Sequence, residues 1–200
     1  MTFGHEYRVL DRHERYRGPL FTVRTDEVAM PGGGVGARDV VLHVGAVGVV
    51  ALDDKGRVVL VRQYRHPVGR VLWELPAGLL DVAGESPAAT AARELAEEAD
   101  LAAGRLDLLI DLHTSPGYST EQIRIFLARE LTAVPDGERH PRRDEEAELV
   151  VARVRLDDAV RMVQTGEITN AAAVAGLLAA ARARDGGWAA LRPADSALPG

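Results

Sequence analysis

Residues 78–101 read GLLDVAGESPAATAARELAEEADL, and this stretch decides which fold the sequence predicts. Ser86 can accept a hydrogen bond at the start of a helix, and Pro87 suits the first helical position. Alanine and other strong helix formers follow it. The pattern therefore predicts a glycine-containing loop followed by a helix from Pro87 to Ala99.

Glu94, Glu97 and Glu98 share one face of this predicted helix. At about 100° per residue they lie within about 100° of arc. The opposite side carries apolar residues, which are Ala88, Ala92, Leu95 and Ala99. Like charges at this spacing destabilise a bare helix, so we expect a positive partner. Charged helix faces commonly meet only water, and that alternative stays open. Here the acids lie beside an apolar stripe and follow a loop whose carbonyl groups can add oxygen ligands. This combination instead favours the binding of a hard divalent cation.

The stretch resembles the Nudix box, whose family pattern is G-x5-E-x7-R-E-U-x-E-E-x-G-U, with U an aliphatic residue. The matching residues are Glu85, Arg93, Glu94, Leu95, Glu97, Glu98 and Leu101. Two positions depart from the pattern. Six residues separate Gly78 from Glu85, which implies a bulge of one residue, and Asp100 stands where the pattern has glycine. Left-handed geometry at a helix end tolerates aspartate poorly, but does not exclude it.

The resemblance implies a Mg²⁺ cluster, with Mn²⁺ as a possible substitute. Its expected ligands are Glu94, Glu98 and the backbone oxygen of Ala77. The resemblance also places Glu97 and Arg93 in the catalytic set and implies that Arg93 pairs with Glu85 to hold the loop. A plain surface ion pair is the alternative for Arg93. Such ions would neutralise a pyrophosphate, polarise one phosphorus and lower the pKa of an attacking water.

A second acidic cluster spans residues 144–148, with the sequence DEEAE. Runs of this kind are commonly solvated loops, and that alternative stays open. The cluster resembles the catalytic loop of ADP-ribose pyrophosphatases, in which one acid lies over the metals. From its distance to a strand that begins near Leu149, we expect Glu145 as general base and Glu146 as an added metal ligand. Each of these two roles could belong instead to an acid one or two positions away.

The segment SPGYSTE, residues 115–121, lies close to the position at which ADP-ribose pyrophosphatases carry a marker proline. A Pro-Gly pair is in itself only a turn. The joint match of Ser-Pro-Gly and the glutamate implies a substrate loop. Its expected binding residues are Ser115, Pro116, Gly117 and Glu121.

Residues before the helix resemble the same subfamily; they are Gln63-Tyr64-Arg65 and the run WELPAG at 73–78. The resemblance implies that Arg65 meets a phosphate and that Glu74 and Leu79 lie near the substrate. Arg65 could otherwise be a surface strand residue, although a cation beside a dianionic pyrophosphate suits the chemistry. Trp73 and Tyr64 could stack on adenine or simply pack in a core or an interface.

Outside the box, the patterns predict strands first and helices last. Residues 6–29 and a turn at 31–34 predict two or three antiparallel strands, and residues 40–52 with 58–63 predict a buried hairpin. Further strands are predicted at 105–113, 121–130 and 148–155, and helices at 156–165 and 170–184. This order favours an α+β or layered α/β/α domain over a bundle or a barrel.

With the resemblance, the expected fold class is α+β, a Nudix α/β/α sandwich with a small N-terminal antiparallel β-subdomain. We expect that subdomain, used for dimerisation, at residues 1–40 and the Nudix hydrolase domain at residues 41–184. Residues 185–200 lack periodicity and are expected as a mobile tail.

The composition narrows the class of protein. Two hundred residues with 46% hydrophobic content suffice for one main fold. The chain contains no cysteine, so oxygen or imidazole must hold any metal. A net charge of −6 without a basic cluster argues against a nucleic-acid or membrane surface. Without a long apolar run or a signal-peptide pattern, we expect a cytoplasmic protein.

The resemblance implies a homodimer. Together with these features, it predicts that the protein hydrolyses ADP-ribose, a nucleoside diphosphate sugar, to AMP and ribose 5-phosphate. One rival is hydrolysis of another nucleotide sugar, such as GDP-mannose, or of a related dinucleotide. A rival of another class is a non-catalytic Nudix module that senses a nucleotide. That module predicts eroded glutamates or an appended DNA-binding domain, whereas Glu94, Glu97 and Glu98 are intact.

Overall fold

The computed structural model describes residue 4, residues 6–141 and residues 148–197. The chain divides into two compact units. Unit 1 comprises Met1–Gly45 and His113–Gln122, and unit 2 comprises Ala46–Leu112 and Ile123–Gly200. Unit 1 therefore extends beyond residues 1–40, because it takes in the predicted substrate loop. The two acids expected as base and added ligand, Glu145 and Glu146, lie outside the described residues.

Unit 1 contains a three-stranded antiparallel sheet in the order β1-β2-β3. Its strands are β1 (Val9–Arg17), β2 (Phe21–Ala29) and β3 (Val35–His43). Gly32 and Gly33 both adopt a φ of 89° in the turn between β2 and β3, a conformation that glycine reaches without strain. The expected N-terminal antiparallel subdomain is confirmed.

Among its described residues, unit 2 contains two sheets and three α-helices. The strands are β4 (Ala46–Ala51), β5 (Arg57–Arg65), β6 (Arg70–Glu74), β7 (Ala77–Leu79), β8 (Leu101–His113), β9 (Gln122–Ala133), β10 (Val150–Arg155) and β11 (Arg192–Pro193). The last residue of β8 and the first residue of β9 belong to unit 1. The helices are α1 (Pro87–Ala99), α2 (Leu156–Gln164) and α3 (Ala171–Asp185). The strand orders are β11-β8-β9-β4-β7 and β10-β5-β6.

The predicted buried hairpin between residues 40–52 and 58–63 is wrong. The apolar run is divided at Gly45, which has a φ of 91°. β4 pairs in parallel with β9 and antiparallel with β7, whereas β5 pairs with β10 and β6. Leu52 and Val58 form an isolated bridge. Because β4 and β5 are both mostly apolar, their pattern did not reveal that they belong to different sheets.

The core explains the layers of unit 2. β4 is buried along its whole length, as a strand with apolar layers on both faces should be. Its alternate residues belong to two separate cores. One contains Val47, Val49 and Ala51 with Ala91, Leu95 and Ala99 of α1, and the other contains Val50 with Ala173, Leu177 and Ala180 of α3. The expected α/β/α layering is confirmed, with β4 between α1 and α3.

The segment after α3 differs from the expected mobile tail. β11 pairs with Asp107 and Leu108 of β8. The guanidinium of Arg124 donates to the carbonyl oxygens of Ser196, at 2.7 Å, and Ala197, at 3.2 Å. These contacts join residues far apart in sequence, which explains why local composition did not predict them. Within the described ranges, no helix has the length and apolar character needed to span a membrane.

Candidate active site

The loop before α1 and α1 itself position the residues of the candidate site. Ser86 Oγ accepts the N–H of Ala89 at 3.2 Å and caps the helix, with Pro87 at its first position. Asp100 ends the helix in the left-handed conformation with a φ of 54°, and its N–H donates to the carbonyl of Ala96 at 3.1 Å. Asp100 therefore adopts the geometry that glycine provides in the Nudix pattern.

Arg93 joins three glutamates around its guanidinium. Its Nε and Nη2 donate to the two carboxylate oxygens of Glu85, each at 3.2 Å, so the expected pair is present. Its Nη1 donates to Glu94 at 2.7 Å and to Glu97 at 2.9 Å. One cation thus offsets the repulsion between acids that lie three residues apart on the same helix face.

These contacts change the protonation equilibria around Arg93. The hydrogen bonds from Arg93, and next the one from Thr90, hold the pKa of Glu85 below its ordinary value. The hydrogen bonds to Glu85 raise the pKa of Arg93, and the charge of Glu94 acts in the same direction. Both groups of the pair are therefore charged at neutral pH.

Glu94 and Glu98 are buried against the backbone of β7, with 9% and 5% of their surface exposed. Glu98 Oε2 accepts the N–H of Ala77 at 3.0 Å. Glu94 lies so close to Gly78 that a Cβ atom there would be 2.0 Å from its carboxyl carbon. Gly78 does not adopt a positive φ, so this position needs glycine for space rather than for backbone freedom.

The predicted ligands Glu94, Glu98 and Ala77 are therefore neighbours, and their chemistry fits a hard divalent cation. Carboxylate and carbonyl oxygens are the donors that Mg²⁺ prefers, and buried carboxylates need compensating charge. In the part of the chain that the structure describes, no three acidic or histidine side chains form a ready metal cluster. Arg93 supplies positive charge to Glu94 in this arrangement.

Thr90 is a contact residue that the sequence reasoning missed. It is fully buried in α1, and its Oγ1 donates to Glu85 Oε2 at 2.9 Å, with the carbonyl of Ser86 as a second acceptor at 3.2 Å. Thr90 thus holds the carboxylate that orients Arg93. The available signal was one hydroxyl residue within an alanine run at 88–92, at a position the family pattern leaves open.

Arg65 and Glu74 form a two-pronged ion pair between β5 and β6. Arg65 Nε and Nη2 donate to the carboxylate of Glu74 at 3.0 and 2.8 Å. Glu74 is only 2% exposed, whereas the side chain of Arg65 is 40% exposed. Leu79 ends β7 opposite Ala46 of β4. The structure thus shows what holds Arg65 and Glu74 in place.

The two aromatic residues that could have stacked on adenine differ in their surroundings. The ring of Trp73 lies 5.6 Å from the guanidinium carbon of Arg62 and packs against the core with α3. Tyr64 is 53% exposed. Trp73 therefore has a packing role, and Tyr64 lies at the surface.

The predicted substrate loop belongs to unit 1, where it adds to the edge of β3. The carbonyl of Ser115 accepts the N–H groups of Tyr118 and Ser119, which makes the segment with Pro116 and Gly117 a turn. Val41 then exchanges backbone hydrogen bonds with the loop at 2.8 and 2.9 Å. Glu121 accepts a hydrogen bond from the hydroxyl of Thr114. The predicted site residues are thus divided between the units.

Comparisons with known proteins found a matching family model and several similar chains. The model of the NUDIX domain family matches residues 42–175. The chain is 47% identical over 192 residues to an ADP-ribose pyrophosphatase of Mycobacterium tuberculosis, covering 96% of this chain and 91% of the relative. It is 35% identical over 166 residues to an ADP-ribose pyrophosphatase of Bacillus subtilis, covering 83% and 88%. A crystal structure of an ADP compounds hydrolase is similar in fold, with a TM-score of 0.79, 23% identity and coverage of 94% and 98%.

Proposed function

The chain belongs to the NUDIX domain family, and we propose that it hydrolyses ADP-ribose at its pyrophosphate bridge, giving AMP and ribose 5-phosphate. The observation that carries the proposal is the array in unit 2 in which Arg93 joins Glu85, Glu94 and Glu97 while Glu98 lies on β7. The two ADP-ribose pyrophosphatases to which most of the chain is similar support the choice of substrate.

The proposed cofactor is Mg²⁺, with Mn²⁺ as a substitute, held by Glu94, Glu98 and the carbonyl oxygen of Ala77. A bound divalent ion supplies charge neutralisation for the pyrophosphate and lowers the pKa of water. The burial of both glutamates against β7 supports this ligand set. Glu146 is proposed as an added ligand from outside the described residues.

Arg93, Glu97 and Glu145 form the proposed catalytic set. Arg93 keeps the side chains of Glu94 and Glu97 oriented through hydrogen bonds of 2.7 and 2.9 Å. Glu145 is proposed as the general base that accepts a proton from the attacking water.

Substrate-binding residues are proposed in unit 2 and, as a separate group, in unit 1. Arg65 is proposed to contact a phosphate, because Glu74 holds its guanidinium by two hydrogen bonds. Glu74 and Leu79 belong to the same proposed group in unit 2. In unit 1, the proposed contacts are Ser115, Pro116, Gly117 and Glu121.

We also propose that the protein is a homodimer that pairs through unit 1. The sheet of unit 1 and its turns expose several large apolar side chains, between 41% and 60%, which are Leu10, Tyr16, Leu20, Phe21 and Val35. The rings of Tyr16 and Phe21 are in contact, with centroids 5.8 Å apart, and a patch of exposed apolar groups commonly marks an interface. Sedimentation velocity should give the mass of a dimer, and Tyr16→Glu with Val35→Glu should shift it to the monomer. A monomeric wild-type protein would rule out the dimer.

The first experiment compares ADP-ribose, GDP-mannose, NADH and a diadenosine polyphosphate as substrates, with Mg²⁺ and with EDTA, by measuring released nucleoside monophosphate. We expect the highest kcat/KM for ADP-ribose and loss of activity in EDTA. Preference for GDP-mannose would redirect the substrate assignment, and no hydrolysis of any compound would favour a nucleotide-sensing module.

Glu98→Gln tests the metal ligand without removing its structural contact. The glutamine oxygen can still accept the N–H of Ala77, but the ligand loses its negative charge. We expect a fall in kcat of at least about 100-fold and weaker Mn²⁺ binding in calorimetry. Glu138→Gln, a change at an exposed residue, is the matched control and should retain activity.

A further inference from the structure

Asp100 and Arg139 join the end of α1 to the segment that follows β9, and we propose that this link positions the acids of α1 for the reaction. The inference rests on the proposed function and deepens it, because it names a positioning residue for the same hydrolysis. α1 carries the three acids of the box, and the segment after β9 leads towards the acidic cluster at 144–148. The link therefore joins two stretches of chain that carry acids of the proposed site.

Asp100 is an unfavourable residue for the end of a helix. It adopts a left-handed φ of 54°, a conformation that glycine reaches without strain and that aspartate reaches only at a cost. Its carboxylate also lies at the negative end of the helix dipole, where an anion is disfavoured. Strained residues cluster where the surrounding contacts serve a function. The contacts of Asp100 should therefore explain why aspartate is present.

Three contacts form a closed circuit between α1 and the segment after β9. The carbonyl of Asp100 accepts the N–H of Val134 at 2.9 Å. The carbonyl of Val134 accepts a hydrogen bond from Nε of Arg139 at 3.3 Å. The same Nε lies 3.9 Å from Oδ1 of Asp100, so the guanidinium faces the carboxylate at the end of the helix. A glycine at position 100 would keep the first contact and lose the last.

The guanidinium of Arg139 also pairs with Asp136, but this second pair stays within one segment. Nη2 of Arg139 lies 2.8 Å from Oδ1 of Asp136, in the single helical turn Asp136–Glu138. The side chain of Asp136 is 88% exposed, whereas that of Asp100 is 26% exposed. Of these two pairs, only the one with Asp100 reaches α1. Asp136 therefore provides a matched control.

The link should affect the rate of the reaction more than the stability of the fold. Pairs between partly exposed side chains contribute little to stability. Catalytic groups are more sensitive, because a small misplacement of a reacting group lowers the rate of the chemical step. Glu97 and Glu98 lie in the last turn of α1, next to Asp100. A loose helix end would therefore act first on these two acids.

Asp100→Gly separates positioning from simple capping, because the two effects have opposite signs. Glycine relieves the left-handed strain, so the melting temperature should rise by about 2–4 °C. It also removes the partner of Arg139 on α1, so kcat should fall by about three- to fivefold. KM should change little, because the substitution leaves the proposed substrate contacts in place. Activity is measured with Mg²⁺ and with the substrate that the wild type prefers.

Arg139→Gln tests the link from its other end. It should lower kcat by the same factor as Asp100→Gly. The double variant should be no slower than either single variant, because both substitutions remove the same interaction. Asp136→Asn removes the other carboxylate that pairs with Arg139 and should keep the kcat of the wild type.

An unchanged kcat in Asp100→Gly would show that Asp100 only ends the helix, and this result would overturn the inference while leaving the proposed function intact. A fall of kcat together with the melting temperature would show general destabilisation, and losses that multiply in the double variant would show two independent roles. Either result would overturn the inference as well. A wild-type protein that hydrolyses none of the four compounds would end the proposed function and this inference with it.

Discussion

Gly78 and the side chain of Glu94 leave no room for a Cβ atom between them. A Cβ on residue 78 would lie 2.0 Å from both the carboxyl carbon and Oε1 of Glu94. Buried Glu94 can therefore approach β7 only because position 78 has no side chain. The first residue of the box is tied in this way to the acids that follow it on α1.

Gly78→Ala should push the carboxylate of Glu94 out of place. We expect kcat to fall by at least about tenfold and the free energy of unfolding to fall by about 1–3 kcal/mol, which is typical of overpacking in a filled site. Kinetics and urea unfolding measure the two effects. Gly137→Ala is the control, because a Cβ there meets nothing within 4 Å. Full activity in Gly78→Ala would show that Glu94 can move without consequence.

Thr90 should act on activity through Glu85 and Arg93. Thr90→Val keeps the shape of the buried side chain but removes the hydroxyl that donates to Glu85 at 2.9 Å. We expect about a tenfold loss of kcat and weaker Mn²⁺ binding, because residues that orient metal ligands commonly contribute this much. Thr90→Ser restores the hydroxyl and should recover most of both. Equal behaviour of the valine and serine variants would assign Thr90 to packing alone.

Arg65→Gln should destabilise the fold because it leaves the buried carboxylate of Glu74 without its cation. Loss of one partner of a fully buried pair costs about 3–5 kcal/mol, but the side chain of Arg65 is 40% exposed, so we expect about 1–2 kcal/mol. Urea unfolding should show this loss, and Glu74→Gln added to Arg65→Gln should recover part of it. Arg70→Gln, an exposed change on β6, is the control. Similar losses in Arg65→Gln and Arg70→Gln would contradict the prediction.

Asp53 should stabilise the protein near neutral pH, and this stabilisation should be lost in acid. Burial raises the pKa of Asp53, but the backbone and side-chain hydrogen bonds from Arg57 and the N–H of Lys55 outweigh it, and the net pKa is lowered. An aspartate in an unfolded chain has a pKa of about 3.9. A lowered folded pKa gives stability that is fully present above that value and is lost as the pH falls through the folded pKa.

The measurement is urea unfolding between about pH 6 and pH 2.5, a range that spans the ordinary aspartate pKa. Asp53→Asn should be less stable than wild type near neutral pH, and the difference should shrink below about pH 4. Asp54→Asn, at the exposed neighbouring residue, should follow the wild-type curve. A constant difference between Asp53→Asn and wild type at every pH would contradict the prediction.

Local patterns predicted α1 well. Ser86, Pro87 and the alanine run placed the helix at 87–99, as the structure has it. The resemblance to the family pattern implied the pair of Arg93 with Glu85, which the structure shows. It also named Glu98 and Ala77 together as metal ligands, and the structure adds that the N–H of Ala77 donates to Glu98. Helix periodicity places side chains three and four residues apart on one face, so spacing alone predicted only that Glu94, Glu97 and Glu98 lie together.

Strand partners were predicted less well. The apolar runs that became β4 and β5 suggested a hairpin, but each strand found its partners elsewhere. Backbone hydrogen-bonding groups are nearly the same at every residue. An apolar run therefore indicates that a strand is buried, but it does not indicate which strand lies beside it. The same limit applies to the pairing of Arg192 and Pro193 with β8.

The sequence by itself determined the family, the helix that carries the acids and the face on which those acids lie, because these follow from spacing over a few helical turns. The tertiary structure decided that Thr90 holds Glu85, that Arg65 is held by Glu74 and that His43 faces Glu121. Two of these three contacts join different elements, and the third depends on how the loop before α1 folds back onto the helix. Their formation depends on the packing of the whole chain, which no local pattern records.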